Sequence, residues 1–177
     1  MRTDLQSDPP QTGEALALRD SAAPGNAMDD VRLQKLWLAT QRRQWSSLAV
    51  VPANRSTDTL PVAEMLARIA WWYRGQPSCV FDLRDVSLRL VEYQIAEVQA
   101  QIEGGSRVFI ALRSIFDNPT AIPIGRQADA IILCTVLGRT DLRAAQKTID
   151  QLGRERVLGS IVLRTDPTSK QVHVEGV

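Results

Sequence analysis

Three short stretches hold the side chains of this 177-residue chain best suited to chemistry: Asn54 to Thr59, Asp82 to Asp85, and Leu112 to Asn118. The first reads Asn54-Arg55-Ser56-Thr57-Asp58-Thr59 and contains neither glycine nor lysine. Asp82 ends an apolar run, where a carboxylate either serves a metal ion or caps the following turn. Arg55, Arg84 and Arg113 fall one in each stretch. Three guanidinium groups at one rim can bind an anion or an acidic partner segment, or can simply stand solvated. Elsewhere the chain is poor in reactive groups. His173 is the sole histidine, so a zinc site lacks ligands and a histidine-centred triad lacks any other base. Cys79 and Cys134 each lie inside an apolar run, which predicts buried free thiols in a reducing compartment.

Composition narrows the classes further. Hydrophobic residues make up 44% and charged residues 23%, so a core of ordinary size can form. The net charge of +1 supplies no broad field for steering toward nucleic acid or an anionic bilayer. No stretch approaches the roughly 18 to 20 apolar residues of a membrane span. The start, MRTDLQSDPP, lacks the layout of a signal peptide, so a cytoplasmic protein is expected.

The elements that must position these residues follow from periodicity. Residues 1–30 hold six acids against two arginines, a net charge of −4, with several prolines and glycines, and read as a flexible acidic arm. Leu33, Leu36, Trp37 and Thr40 recur at helical steps and predict a lead-in helix. The runs SLAVVPA (47–53), SCVFDL (78–83), RVFIAL (107–112), AIILCTVL (130–137) and VLGSIVL (157–163) predict buried strands. Between them, Val62, Met65, Leu66, Ile69 and Tyr73 form one stripe begun by Pro61 and ended by Gly75. Leu88, Val91, Ile95, Val98 and Ile102 form a second, and Asp141 to Leu152 a third helix closed by Gly153.

Strands and helices in alternation predict an α/β domain over 31–164: a doubly wound, mostly parallel sheet with helices on both faces, followed by a polar tail at 165–177. In such a sheet a ligand sits beyond the carboxyl ends of the strands, where the three stretches converge. On the helix begun by Pro61, steps of about 100° put Trp71 with Glu64 and Arg68 opposite the apolar stripe. A tryptophan placed so either anchors a partner or packs on a neighbouring helix. Trp37 and Trp45 are expected to cover the sheet edge.

From Leu33 to Leu163 the order of elements resembles the MinD/ParA-type P-loop ATPases, most closely the cytoplasmic tyrosine autokinase modules (CpsD/CapB type) of bacterial polysaccharide machinery. RVFIAL stands where that family has its Walker B strand. RSIFDNPTAIPIGRQ matches its proline-bearing loop, and ADAIILCTVLGRTDL and VLGSIVL match its next two strands. The resemblance implies a P-loop-type fold.

Measured against the family, the site residues depart. A phosphate loop needs glycines to free backbone N–H groups, a lysine for the phosphates and a hydroxyl for magnesium. With Val62-Ala63 aligned to the residues after that motif, Asp58 falls on the glycine, Thr59 on the lysine and Leu60 on the magnesium ligand. Asp82 keeps the first of two paired aspartates, Arg84 replaces the second, and Ala111 stands at the Walker B acid. The family's C-terminal tyrosine cluster is missing, since Tyr73 and Tyr93 both lie in predicted helices.

The resemblance therefore implies a pseudo-ATPase without cofactor or catalytic residues. It would be a scaffold or regulatory subunit of an exopolysaccharide or capsule synthesis and export system. Its partner would be a membrane export or co-polymerase component, a family ATPase or a second copy of the chain, and it would sit at the inner membrane only through that partner. The interaction residues expected are Trp71, Arg68, Glu64, Arg55, Arg84 and Arg113. The alternatives are a MinD/ParA-like positioning or assembly factor, and a divergent nucleotide-dependent enzyme completed by a partner and using Asp82, Asp85 and Thr59.

Overall fold

Ser47–Pro52, strand β2, is buried along its whole length, because it pairs in parallel with a strand on each side and carries helices on both faces. This is why its sequence is a continuous apolar run instead of an alternating one. The computed structural model describes residues 16–17, 31–55, 57–165 and 172–176. The rest of the acidic arm, Ser56, residues 166–171 and the side chains of Leu33 and His173 lie outside the described residues.

In chain order the elements are β1 (Leu16–Ala17), α1 (Val31–Thr40), β2, α2 (Leu60–Arg74), β3 (Ser78–Asp82), α3 (Val91–Glu103), β4 (Arg107–Ala111), α4 (Ala121–Gln127), β5 (Ala130–Val136), α5 (Leu142–Leu152), β6 (Val157–Thr165) and β7 (Val172–Gly176). The sheet order is β1-β3-β4-β2-β5-β6-β7, and the five inner strands are parallel. The expected α/β class and all five expected strands are therefore present.

Strand pleating splits the core in two. Leu48 and Val50 of β2 face α1 and α2, together with Phe109 of β4 and Ile132 of β5. Ala49 and Val51 face the other way, toward Val91 and Val98 of α3, Ile124 of α4 and Leu152 of α5. Helix α2 closes with Gly75 in the left-handed region (φ 60°), whose N–H bonds to the Trp71 carbonyl at 2.8 Å. Cys79 and Cys134 are both free and buried, and burial pushes their thiols up to about 11 and about 12.

Several expectations are corrected. RSIFDNPTAIPIGRQ is not all loop: it contains α4. The tail beyond 165 returns as β7, antiparallel to β6. Within the arm, β1 pairs antiparallel with β3, Leu16 opposite Val80 and Ala17 opposite Cys79. Leu88 is exposed, because it lies in a 3-10 turn ahead of α3 that aims it away from the apolar stripe. Trp37 and Trp45 do not cover an edge. They are buried over the face of interior strands, with Trp45 edge-on to Phe109 at 5.4 Å and Trp37 edge-on to Trp45 at 6.3 Å.

On α2 the inward residues are Val62, Ala63, Leu66, Ala67, Ile69 and Ala70. Tyr73 departs from the predicted stripe and is exposed, in the last turn of the helix just before Gly75 ends it. Trp71 and Trp72 are 54% and 51% exposed, and Arg68 is exposed beside them. Leu66 is fully buried. Leu66→Ala should therefore cost about 2–5 kcal/mol, whereas Trp71→Ala should cost under about 1 kcal/mol. Urea denaturation of the two variants checks this, and equal losses would place Trp71 in the core.

Candidate functional site

The chain leaves β2 through α2 on one face, while the link from β4 to β5 crosses β2 through α4 on the other. The carboxyl end of β2 is thus the point where strand order reverses, the usual place for a ligand in such a sheet. The three stretches singled out by sequence do meet there. Each is held by backbone bonds to a neighbouring strand: Ala53 N to Cys134 O at 2.8 Å, Leu83 N to Ala111 O at 3.0 Å and Leu112 N to Val50 O at 3.1 Å.

Salt bridges stitch these loops together in a cycle. Arg84 of the second loop reaches Asp58 of the first at 2.6 Å. Arg113 of the third reaches Asp85 of the second at 2.6 Å. Arg55 of the first reaches Asp117 of the third at 3.6 Å. The three rim arginines are thus brought to one edge, each against a carboxylate of a different loop.

Arg84 is the best held of the three. Its Nε and Nη2 donate to the two carboxylate oxygens of Asp82, both at 2.7 Å, while Nη1 donates to Asp58. Such a forked pair is the strong geometry for a guanidinium. The Asp82 carboxyl sits below the usual carboxylate range, chiefly through the Arg84 hydrogen bonds and against the opposing effect of burial. Arg84 is correspondingly raised, first by the hydrogen bond to Asp82. Asp85 is lowered, first by the hydrogen bond from Arg113. Asp82 also accepts from the Arg84 backbone N–H at 3.3 Å, so it closes its own turn as well.

The first loop is committed to internal contacts in the same way. Asp58 Oδ1 accepts from Leu60 N at 3.1 Å, at the start of α2. Thr59 is buried and its hydroxyl donates to the Leu112 carbonyl at 2.7 Å. Asn54 Oδ1 accepts from the hydroxyls of Thr57 and Thr140 at 3.4 and 3.3 Å. Glycine and lysine are absent from this loop.

Sequence reasoning gave no role to Asn118, whose Nδ2 donates to the Arg84 and Val86 carbonyls at 3.2 and 3.0 Å and so fixes the second loop against the third. The signal lay in Asn118-Pro119, a turn-forming pair at the end of the third stretch. It also left out Asp117, the partner of Arg55. Among the described residues no group of histidine, cysteine, aspartate and glutamate is arranged to hold a metal ion, and no helix is long and apolar enough to cross a membrane.

The Arg84 pair sets a pH dependence. A carboxyl lowered in the folded state contributes stability that is present above its unfolded value of about 3.9 and is lost as pH falls through the folded value. Both carboxylates are partly solvated, which limits the effect. Arg84→Gln should cost about 1 kcal/mol at pH 7, and the gap to the parent chain should close below about pH 4. Urea denaturation at pH 7 and pH 3 measures it. A gap unchanged at pH 3 would mean that Arg84 acts through packing instead of charge.

No protein-family model matches the chain, and no curated protein does. Among solved structures, the chain is similar to the kinase domain of the Escherichia coli tyrosine kinase ETK, with 11% identity and a TM-score of 0.42. That match covers 83% of this chain and 66% of the other, so the chain spans less than two thirds of the length of the kinase domain it resembles.

Proposed function

We propose that this domain is a non-catalytic pseudo-ATPase that serves as a scaffold or regulatory subunit of an exopolysaccharide or capsule synthesis and export system. The observation that carries the first half is the use of charge at the carboxyl end of β2. There Arg84 is shared between Asp58 and Asp82, and Arg113 and Arg55 face Asp85 and Asp117. Four carboxylates surround three guanidinium groups, so no positive charge is left over for a polyphosphate. Leu60, at the place of the family's magnesium ligand, has no hydroxyl, and the neighbouring Thr59 hydroxyl donates to the Leu112 carbonyl. Phosphoryl transfer relies on neutralising charge and on positioning, and neither is provided by these groups.

The second half, the cellular setting, rests on the motif resemblance of the strands from RVFIAL to VLGSIVL. In this reading the protein is cytoplasmic and meets the inner membrane through a polysaccharide export or co-polymerase partner or a family ATPase. The docking surface is the outward face of α2, where Trp71 stands beside Arg68 and Glu64. Its half-exposed Trp71 indole is the kind of anchor that interfaces bury.

Calorimetric titration of ATP with magnesium into the full chain tests the reading. No binding heat is expected at millimolar nucleotide. Micromolar affinity, or hydrolysis abolished by Asp82→Ala, would overturn the pseudo-ATPase assignment.

A further inference from the structure

The opposite edge of the sheet, at the amino ends of the strands, has the reverse balance of charge. A cavity of about 540 Å³ opens there, lined by Arg43, Trp45, Ser46, Arg74, Arg107 and Asp129 among others. Arg107 begins β4, with its guanidinium 4.5 Å from the centre of the Trp45 ring and 5.7 Å from that of Trp37. Its Nη1 is wholly buried and has no hydrogen-bond partner among the described residues. Burial, and then the nearby charge of Arg74, hold Arg107 below the ordinary guanidinium range.

The other two cations are no better neutralised. Among the described residues, Arg74 donates to the Gln41 side chain, at 3.3 Å. Arg43 donates to the backbone carbonyls of Glu155 and Asp129. Among the described residues, Asp129 is the one acid lining the cavity. Its Oδ2 already accepts from Ser46 N and Ser47 N, both at 2.9 Å, and from the Ser47 hydroxyl at 3.1 Å. Burial opposes its charge, yet these bonds hold its carboxyl below the usual range, so it stays ionised. Among the described residues, three guanidinium groups against one carboxylate leave two positive charges uncompensated, and Nη1 of Arg107 is a buried donor without a partner. Holding such a cation without a counter-ion is costly.

We propose that this cavity binds the phosphate group of a small phosphomonoester. A phosphomonoester carries nearly two negative charges at neutral pH, which matches the missing charge, and three acceptor oxygens for the guanidinium groups that line the cavity. A carboxylate would supply half of that charge. Guanidinium groups suit phosphate geometry. The cavity lies in the range of small-molecule sites, so it has room for an organic part beyond the phosphate. This site shares no residue with the carboxyl-end loops and stands apart from the proposed function.

Titration of the ¹⁵N-labelled full chain, followed by NMR at constant ionic strength, tests it with inorganic phosphate, glycerol 3-phosphate, acetate and chloride as probes. Both phosphates should give saturable shifts at the Ser46 and Ser47 amides and the Trp45 indole. Arg74→Gln and Arg107→Gln should each weaken binding roughly tenfold or more. Arg74 is exposed, so its substitution keeps the test decisive if Arg107→Gln disturbs the tryptophan packing. Shifts no larger with phosphate than with chloride would overturn the proposal. So would binding left unchanged by Arg74→Gln, or acetate binding as tightly as phosphate.

Discussion

Arg84 bridging Asp58 and Asp82 is the interaction on which the carboxyl edge depends. Asp82 leaves the end of β3 and Asp58 stands just before α2, so one guanidinium ties together the two segments that flank the switch point. Without it, two carboxylates at that edge would face each other with only solvent to screen them. The forked geometry makes the pair worth more than a typical surface ion pair, and partial exposure keeps it well short of a buried one. The same contact decides what the edge can bind. A pair satisfied on both sides offers no net charge to a ligand, and a polyphosphate would have to break it before gaining anything from Arg84.

The fold was largely legible because buried parallel strands write themselves as unbroken apolar runs. Every residue of β2 is buried, and β3 is buried as far as Cys79 to Phe81 before its exposed terminal aspartate. Where the sequence misled, the cause was local. Helix α4 carries Pro123 and Gly125 within seven residues, two strong helix-breaking signals. Gly125 is there because a Cβ would come within 2.8 Å of Leu152 Cδ2, so close packing of α4 on α5 overrides propensity. Strand β7 was hidden because VHVEG is not a continuous apolar run, and its place comes from antiparallel pairing to β6, which composition does not reveal. Tyr73 keeps the helical phase of the stripe, and phase says nothing about what covers the last turn of a helix.

The site was legible in its members and not in its pairing. Asp58, Asp82, Asp85, Arg55, Arg84 and Arg113 could be placed at one rim from strand ends alone. That each arginine meets an acid on a different loop depends on the relative heights of three strands, a property of the assembled sheet. The rim arginines could equally have stood free for an anion, and only their distances to Asp82, Asp85 and Asp117 distinguish the two cases.

The amino edge is the complement of this arrangement. Among the described residues both edges gather three arginines, yet the carboxyl edge surrounds them with four acids, while the amino edge provides Asp129, already engaged by Ser46 and Ser47. Arg107 also differs in what supports it. Two indole faces hold its guanidinium in place of a carboxylate. Stacking on an aromatic face fixes a cation's position without cancelling its charge, so the group is pre-positioned for an anion and still unspent. In a sheet of this kind the carboxyl edge is the expected place for a ligand. Here the charges at that edge are consumed in holding loops together, and the capacity to attract an anion has been left at the other end of the strands.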